Sequence, residues 1–320
     1  MKKSILSTVF AAITTLLVAQ QDIQLTQWQF ERLSFNPALA GASGNYNVFS
    51  IHRDQWDGFE RDPKTYLFNF DAPIKFADKN FGLGMTFYTE VLGQQKNSVI
   101  RFHPAYHHDL GNNTTFSGGL SVSLNFSKLG GNWIFIDDND PVIPNEGTET
   151  KDNNTDVSLG FMLQQKGKYY VGLSATHLNQ GELDQLNIQM TRHYYVMGGY
   201  EYPIANANIV LRPNVLVKSD ANSTQIDINA DAYWNNMLWG GLAFRPGDAI
   251  CPYVGFHHAL PGTQMGQKMG NHGIKIGYAY DVTTSEIRNY SSGSHEIFLH
   301  YYLGLTDIPI RAKHHDVRFL

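Results

Sequence analysis

The sequence has 320 residues, of which 13% are aromatic and 17% are charged, and its formal net charge at pH 7 is −5. This acidic balance, without a basic stripe, excludes a nucleic-acid-binding protein. A single cysteine, Cys251, excludes an intramolecular disulfide as a source of stability.

The first 19 residues have the order of a secretory signal peptide. Lys2 and Lys3 supply a positive start, residues 5–18 are apolar apart from Ser and Thr, and small residues end the run near Ala19. The alternative, a buried N-terminal helix, lacks the amphipathic period of a surface helix. We therefore expect residues 1–19 to be removed on export. No later apolar run reaches the roughly 18 residues that a transmembrane helix needs.

Residues 20–45 form a separate N-terminal segment ahead of the first strand. Within it, Asn36 and Pro37 follow Phe35, and an Asn-Pro pair favours a fixed turn. Two interpretations stay open at this point. The stretch from Asn36 to Gly41 either folds the mature N-terminus into the mouth of a barrel as a plug, or merely begins the first strand.

The rest of the chain is dominated by period-two alternation, which in a strand places one set of side chains on each face. In chain order the apolar sets are Phe81, Leu83, Met85 and Phe87; Leu120, Val122, Leu124 and Phe126; Val157, Leu159, Phe161 and Leu163; Tyr169, Val171, Leu173 and Ala175; Ile226, Ile228, Ala230 and Ala232; and Ile274, Ile276, Tyr278 and Tyr280. About fourteen such runs lie between residues 46 and 303, an even number, as bacterial outer-membrane barrels require.

These runs predict an all-β fold, a transmembrane antiparallel β-barrel of about 14 strands over residues 46–303, with residues 304–320 as a C-terminal tail. Lipid-spanning barrels also carry aromatic girdles at the membrane interfaces. The aromatic residues near strand ends that we assign to such girdles include Tyr194, Tyr195, Tyr200, Tyr202, Phe298, Tyr301 and Tyr302. A soluble exported β-sandwich or propeller would also show short alternating strands, but no blade-length repeat is evident.

Strand order assigns the connections to two ends of the barrel. If the first strand rises from the periplasm, the long segment from Ser127 to Thr155 is extracellular, and the turns at Gln165 to Lys168 and at Asn235 and Asn236 are periplasmic. The stretch from Ala259 to Asn271 is long where this order predicts a short turn. Either a strand boundary is misplaced there, or the periplasmic loop is unusual.

The sequence gives little support for catalysis or for a metal cofactor. The pairs His107-His108, His257-His258 and His314-His315 are adjacent, and neighbours in a strand point to opposite faces, so a strand-borne pair cannot chelate one ion. The acidic stretch from Asp137 to Asp140 lacks the distal Glu of a calcium loop, and a solvated loop explains it. Ser294 and His295 are also adjacent, and neither a Gly-x-Ser-x-Gly elbow nor a Gly-rich phosphate loop is present. We therefore predict no enzymatic activity and no cofactor.

Six short motifs occur one after another along the chain. They are Leu33 to Gly41 (LSFNPALAG), His52-Arg53-Asp54-Gln55-Trp56, Gly198-Gly199-Tyr200, Trp239-Gly240-Gly241 leading to Arg245, Ile276 to Asp281 (IGYAYD) and Gly293-Ser294-His295-Glu296. Each motif alone is weak. Together, over nearly the whole mature chain, they resemble the PorP/SprF family, outer-membrane proteins of the type IX secretion system of Bacteroidetes.

The resemblance implies a barrel related to long-chain fatty-acid transporters that works with the type IX machinery. Some members of the family support secretion of a large surface adhesin or hold its C-terminal sorting domain at the surface. Others connect the motor and ring complex to the outer membrane through a peptidoglycan-binding partner. Many relatives end in a Cys-Pro-Arg-Phe tail, whereas this chain ends in His314 to Leu320, which puts any role for its tail in doubt.

The motif residues have functional and structural interpretations. Arg53 and Trp56 are expected to form a stacked cation-π pair at a loop base, which contacts a partner peptide or only orders the loop. The predicted partner-binding residues are Arg53, Gln55, Trp56 and Trp133, and the predicted structural residues are Asn36, Pro37, Gly41, Arg245, Tyr278, Asp281, His295 and Glu296. His295 and Glu296 lie on opposite faces of the last strand, so they cannot act as one acid-base pair within it.

One main hypothesis of function follows. The chain is a non-enzymatic outer-membrane component of the type IX secretion system, located there after signal-peptide cleavage, which receives a secreted adhesin and binds its sorting domain through extracellular loops. Two alternatives stay open: a channel for small amphipathic solutes, and a static anchor that links the secretion or gliding machinery to the outer membrane. Further expected partners are a peptidoglycan-binding protein, other secretion components and outer-membrane lipid.

Overall fold

The computed structural model describes residues 22–58, 60–130, 149–205, 207–260, 263–264, 267–268 and 272–304. The alternating runs form fourteen antiparallel strands in one sheet. They are β1 (Asn45–Asp54), β2 (Lys64–Phe76), β3 (Lys79–Leu92), β4 (Gln95–Gly111), β5 (Thr114–Leu129), β6 (Thr150–Gln165), β7 (Tyr169–Thr176), β8 (His193–Tyr200, continued by Tyr202–Ile204), β9 (Ile209–Ser219), β10 (Thr224–Trp234), β11 (Leu238–Arg245), β12 (Ala249–Leu260), β13 (His272–Thr283) and β14 (Ser294–Gly304). The predicted fold class is confirmed.

The helices are short. In the part of the chain that the structure describes, three 3₁₀ helices span Pro37–Leu39, Asp184–Leu186 and Glu286–Asn289. Within the described residues, none of the helices has the length and apolar character needed to cross a membrane. A small two-stranded pair, Glu182–Leu183 with Ile188–Gln189, lies between β7 and β8.

The fourteen-stranded sheet closes on itself. β1 pairs with β14 from Asn45 opposite Gly304 to Asp54 opposite His295. β8 pairs with β7 on one side and with β9 on the other, so the ladder of described strands has no free edge. In such a cylinder the backbone hydrogen bonds are made between strands, which a lipid environment requires.

The two faces of the barrel wall differ as the alternation predicts. Leu120, Val122, Leu124, Phe126, Ile226 and Ile228 are exposed on the outside, whereas Ser121, Ser123, Asn125, Asp227 and Asn229 are buried inside. An outward apolar band around an inward polar set is the pattern of an outer-membrane barrel. The chain is accordingly located in the outer membrane.

The expected aromatic girdles are only partly confirmed. Tyr194, Tyr200 and Tyr202 are exposed on the outer face, but Tyr195 and Phe298 are 1% exposed and point into the barrel. Their assignment to the membrane interface is wrong because consecutive strand residues alternate between faces, and the inner face also packs aromatic rings. Tyr302 is likewise buried inside.

The connections are longest at one end of the barrel. We call the end where β1 ends and β2 begins, with residues 177–192 and 284–293, the long-loop end, and the opposite end, with residues 77–78, 112–113, 166–168 and 235–237, the short-turn end. Asn112 and Asn113 both have positive φ, as a tight two-residue hairpin turn requires, and Asn235 and Asn236 have positive φ in the three-residue turn between β10 and β11. The predicted turns at Gln165 to Lys168 and at Asn235 and Asn236 share this end.

Two predicted connections differ from the structure. The segment from Ser127 to Thr155 is not all loop, because β5 and β6 stay paired as far as Leu129 opposite Thr150. The connection from Ala259 to Asn271 is also shorter, since β12 reaches Leu260 and β13 begins at His272. The strand ends that it joins, Leu260 and His272, lie at the short-turn end, and within it Thr263–Gln264 pairs with Gln267–Lys268.

The apolar core lies inside the barrel. Trp28 and Phe35 from the chain ahead of β1 are 1% exposed. The ring of Phe30 packs 5.1 Å from that of Trp239 and 5.0 Å from that of Phe298, which project inward from β11 and β14. The N-terminal residues therefore pack against the inner wall instead of beginning β1.

Candidate functional site

Residues 22–44, which we call the luminal segment, run through the barrel from one end to the other. Asp22 lies at the long-loop end, where its carboxylate accepts hydrogen bonds from Tyr195 Oη (2.5 Å) and Thr176 Oγ1 (3.2 Å). At the short-turn end, the backbone N–H of Gly41 donates to the Asp71 carboxylate (2.9 Å). Because little of the segment is helical, its buried backbone groups need partners from the barrel wall.

Glycines on the inner wall allow the luminal segment to approach closely. A Cβ atom at Gly82 would overlap the carbonyl oxygen of Ala40, and one at Gly119 would overlap the backbone of Pro37 and Ala38. Only glycine lacks this atom. The contact between segment and wall therefore depends on these strand glycines.

The Asn-Pro turn predicted from sequence lies inside the barrel. The side-chain oxygen of Asn36 accepts from the N–H of Ala38 (3.0 Å), and Pro37 opens the 3₁₀ helix. The side-chain amide of Asn36 donates to the carbonyl oxygens of Phe161 (3.0 Å) and Leu173 (3.3 Å) on β6 and β7. Asn36 thus caps its own turn and ties that turn to the wall.

Three of the predicted motif residues meet in a buried ion network. Arg53 Nη2 lies 2.7 Å from Asp281 Oδ2, and Arg53 Nη1 lies 3.3 Å from Glu296 Oε2. Each of the three residues is 1% exposed. Arg53 and Glu296 are also direct partners in the pairing of β1 with β14. The network therefore joins the first strand, the last strand and β13.

The luminal segment completes this network. Thr26 Oγ1 donates to Asp281 Oδ1 (2.7 Å) and accepts from Arg53 Nη1 (2.8 Å). The backbone N–H groups of Thr26 and Gln27 each donate to the Glu296 carboxylate at 2.7 Å. Buried charges need such partners, since an unpaired charge inside a protein is costly.

Arg245, a fourth predicted residue, connects the network to a second set of charged residues, Asp227 and Lys218. Its Nε lies 3.0 Å from Asp227 Oδ1, and its Nη1 lies 3.6 Å from Asp281 Oδ2. Lys218 Nζ lies 3.8 Å from Asp227 Oδ2 and donates to the side-chain oxygen of Gln24 in the luminal segment (2.5 Å). Cations and carboxylates from six strands therefore hold the first part of the segment.

The expected stacking of Arg53 on Trp56 is wrong. Arg53 points into the lumen, whereas the chain leaves β1 after Asp54 and turns at Trp56, which has a φ of 59°. The backbone N–H of Trp56 donates to Ser294 Oγ (3.0 Å). Trp133, the remaining predicted partner-binding residue, lies outside the described residues.

Tyr278 and His295 lie on the outer face of the barrel. Tyr278 Oη is 2.7 Å from His295 Nδ1, across the pairing of β13 with β14. Glu296, the next residue, points inward. The prediction that His295 and Glu296 lie on opposite faces is confirmed.

A vestibule of about 360 Å³ lies at the long-loop end. Asp22 borders it at the start of the luminal segment, and Gln55 and Trp56 line it from the connection after β1. His177 also lines it. Burial lowers the pKa of His177, but the charges of Asp22 and Asp156 outweigh burial and raise this pKa to about 9.

The sequence model described as type IX secretion system membrane protein PorP/SprF matches residues 17–301. The chain belongs to this family. The match covers the luminal segment and nearly all of the barrel, and it confirms the resemblance carried by the motifs. Membership makes the chain an outer-membrane component of the type IX secretion system. Among curated proteins, none matches the sequence.

Several solved structures are similar to this PorP/SprF barrel at low sequence identity. The toluene transporter TbuX of Ralstonia pickettii is 11% identical, with a TM-score of 0.48 over 88% of this chain and 94% of that chain. A FadL homologue of Pseudomonas aeruginosa is 10% identical, with a TM-score of 0.45 over 85% and 93%. The translocator domain of the autotransporter NalP from Neisseria meningitidis is 14% identical, with a TM-score of 0.45 over 87% and 95%. These values carry no functional inference.

Sequence reasoning missed the partners that the luminal segment supplies. Gln24 and Thr26 belong to none of the motifs, although they bind charged groups of the wall. Arg101, whose Nη1 donates to the Ser34 carbonyl oxygen (3.0 Å), was also missed. One signal was available, because a charge such as Asp227 in the inward set of a transmembrane strand requires a buried partner.

Proposed function

We propose that this type IX component receives a secreted adhesin at the cell surface and binds its C-terminal sorting domain at the long-loop end. The observation that carries the proposal is that one part of the lumen is filled and another part is open. The luminal segment occupies the barrel from Asp22 to residue 44, while the vestibule at its start is open and is lined by Gln55 and Trp56. A site that is open at the mouth and filled further in suits a docking polypeptide.

The lengths of the connections support the orientation that this proposal needs. By the bounds of the described strands, the two longest connections join β5 to β6 and β7 to β8, and the strand ends that they join all lie at the long-loop end. Outer-membrane barrels place their longer loops outside the cell and their short turns in the periplasm. Binding surfaces also concentrate on loops that a rigid scaffold holds in place. The vestibule would then face the secreted partner.

In this proposal the luminal segment acts as a plug, which disfavours the solute channel. A continuous path would require the segment to leave, and Thr26 would then no longer bind Arg53, Asp281 and the neighbouring Glu296. Separating such buried charged groups from their partners costs several kcal/mol. The static anchor makes a different prediction, since its partner would bind the short-turn end.

The first test is surface display of the adhesin in a strain that lacks this gene. We expect the adhesin to be lost from the surface of intact cells, measured by antibody labelling, and to return when the full chain is supplied. Normal display in the deletion strain contradicts the proposal.

The second test locates the binding end. In a pull-down from mild detergent with the isolated sorting domain as bait, we expect the double variant Gln55→Ala with Trp56→Ala to be captured at least tenfold less than the unchanged chain, since buried aromatic anchors dominate interface energies. Trp234→Ala is the matched control, because Trp234 is an exposed tryptophan at the short-turn end. If Trp234→Ala is the damaging change, or if only a peptidoglycan-binding protein is captured, the anchor replaces this proposal.

A further inference from the structure

A cluster of metal-ligating side chains lies beside the vestibule, in a different part of the lumen from the Arg53 network. Asp22, His177 and His193 each offer one ligand atom, and these atoms all lie within 4.8 Å of one another. Asp22 begins the described luminal segment, His177 directly follows β7, and His193 is the first residue of β8. The three residues therefore join the segment to both ends of the connection 177–192.

Each imidazole has one ring nitrogen close to an oxygen of the chain, which leaves the other nitrogen for a ligand. His193 Nδ1 lies 2.9 Å from the carbonyl oxygen of Thr191, which accepts its proton and leaves the Nε2 lone pair free. His177 Nδ1 lies 3.0 Å from Asp156 Oδ2. Histidines that bind metals commonly present one nitrogen to the ion and the other to a carboxylate or a backbone carbonyl.

The spacing between His177 and Asp22 fits a shared ion better than a hydrogen bond. His177 Nε2 lies 3.6 Å from Asp22 Oδ1, which is too long for a hydrogen bond. Two ligand atoms that each lie about 2.1 Å from one tetrahedral zinc ion are about 3.4 Å apart. The other oxygen, Asp22 Oδ2, is occupied by Tyr195 and Thr176, so that Oδ1 is the oxygen directed at the cluster.

We propose that Asp22, His177 and His193 bind one divalent first-row transition-metal ion, for which zinc is the natural probe. Two imidazole nitrogens and one carboxylate oxygen suit zinc and related ions, whereas calcium and magnesium prefer oxygen ligands throughout. Three protein ligands leave at least one coordination position, which water or a donor from a bound partner fills from the vestibule. The ion fixes the start of the luminal segment to the base of the connection 177–192.

A purely structural ion pair is the competing explanation. Without a metal, the imidazole of His177 contacts the carboxylates of Asp22 and Asp156 as an ion pair, and His193 is then not required as a ligand. The two explanations are separated by zinc titration, because only the metal site requires His193.

The experiment uses the full mature chain, purified in detergent, stripped of metal with a chelator and dialysed. Isothermal titration with zinc is expected to give one site per chain, and cobalt(II) is expected to give the visible absorption of a four- or five-coordinate site. His177→Ala and His193→Ala should each weaken binding at least tenfold. Asp156→Asn should weaken it about 10–100-fold although it removes no ligand, because Asp156 orients His177.

His258→Ala is the matched control, since His258 is an exposed histidine on the outer face of β12. It should bind zinc as the unchanged chain does. Each variant is first checked for the folded barrel by its mobility on unheated gels, so that a loss of binding is not a loss of fold. The proposal is overturned if the unchanged chain binds no zinc at micromolar concentrations, or if zinc binding persists unaltered in both His177→Ala and His193→Ala.

Discussion

Replacing Arg53 with methionine removes the central cation of the buried ion network while keeping most of the side-chain volume. In the unchanged protein the guanidinium contacts Asp281 at 2.7 Å, Glu296 at 3.3 Å and Thr26 Oγ1 at 2.8 Å. The substitution leaves two carboxylates in the lumen without their nearest positive charge. We expect a large loss of stability, because the desolvation cost of these carboxylates is no longer offset.

The size of the stability loss depends on the partners that Asp281 and Glu296 keep. Removing one member of a buried ion pair costs about 3–5 kcal/mol. Arg245 lies 3.6 Å from Asp281 and still offsets part of its charge, and the N–H groups of Thr26 and Gln27 still bind Glu296. We therefore expect a loss near the lower limit, about 3 kcal/mol.

Urea unfolding of the purified barrel in lipid vesicles, followed by tryptophan fluorescence, measures this loss. Lys64→Met is the control, because Lys64 is a partly exposed cation at the long-loop end, 3.3 Å from Asp54, and ion pairs in contact with solvent contribute little. Adding Asp281→Asn to Arg53→Met should cost less than the sum of the two single changes, since the residues are coupled. If Arg53→Met is no more destabilising than Lys64→Met, the network does not hold the luminal segment.

Three further substitutions test other parts of the fold. Gly82→Ala should lower the urea midpoint and expose the luminal segment to protease, because the new Cβ overlaps the backbone of that segment, whereas Gly240→Ala, with its nearest neighbour at 3.7 Å, should do neither. Val122→Arg on the outer face should cost about 2–4 kcal/mol in vesicles, while Phe76→Arg at the end of β2 should cost about 0–1 kcal/mol, and equal costs would argue against a lipid-facing band. Asn36→Ala should cost about 1–3 kcal/mol in the same assay, because it leaves buried polar groups without partners, and an unchanged midpoint would contradict this role.

The barrel wall was predictable because each transmembrane strand repeats the same physical constraint. Lipid on one side and a polar lumen on the other impose period-two alternation, as in Leu120 to Phe126. The number of alternating runs in the sequence then indicates the number of strands. The errors arise where both faces accept the same residue type. Tyr195 and Phe298 suit a membrane interface as well as they suit the packed lumen, and their positions became clear only with the luminal segment in place.

The site was predictable in its members but not in its contacts. The ordered motifs identified Arg53, Asp281 and Glu296, yet Arg53 and Glu296 are 243 positions apart, and no local pattern indicates that they touch. Closeness in sequence did not predict side-chain contact, since Arg53 and Trp56 do not stack. Thr26 could not be found at all, because its role depends on where an irregular segment passes through a closed sheet.

The pairing of Arg53 with Glu296 has a consequence for assembly. These residues lie opposite each other at the junction of the first and last strands, and Thr26 binds both from the inside. The chain can make these three contacts only when its two ends meet, so sealing the cylinder and seating its N-terminal residues form one cooperative step. A lateral opening of the wall at this junction would have to break the contacts of Thr26 in addition to the pairing of β1 with β14.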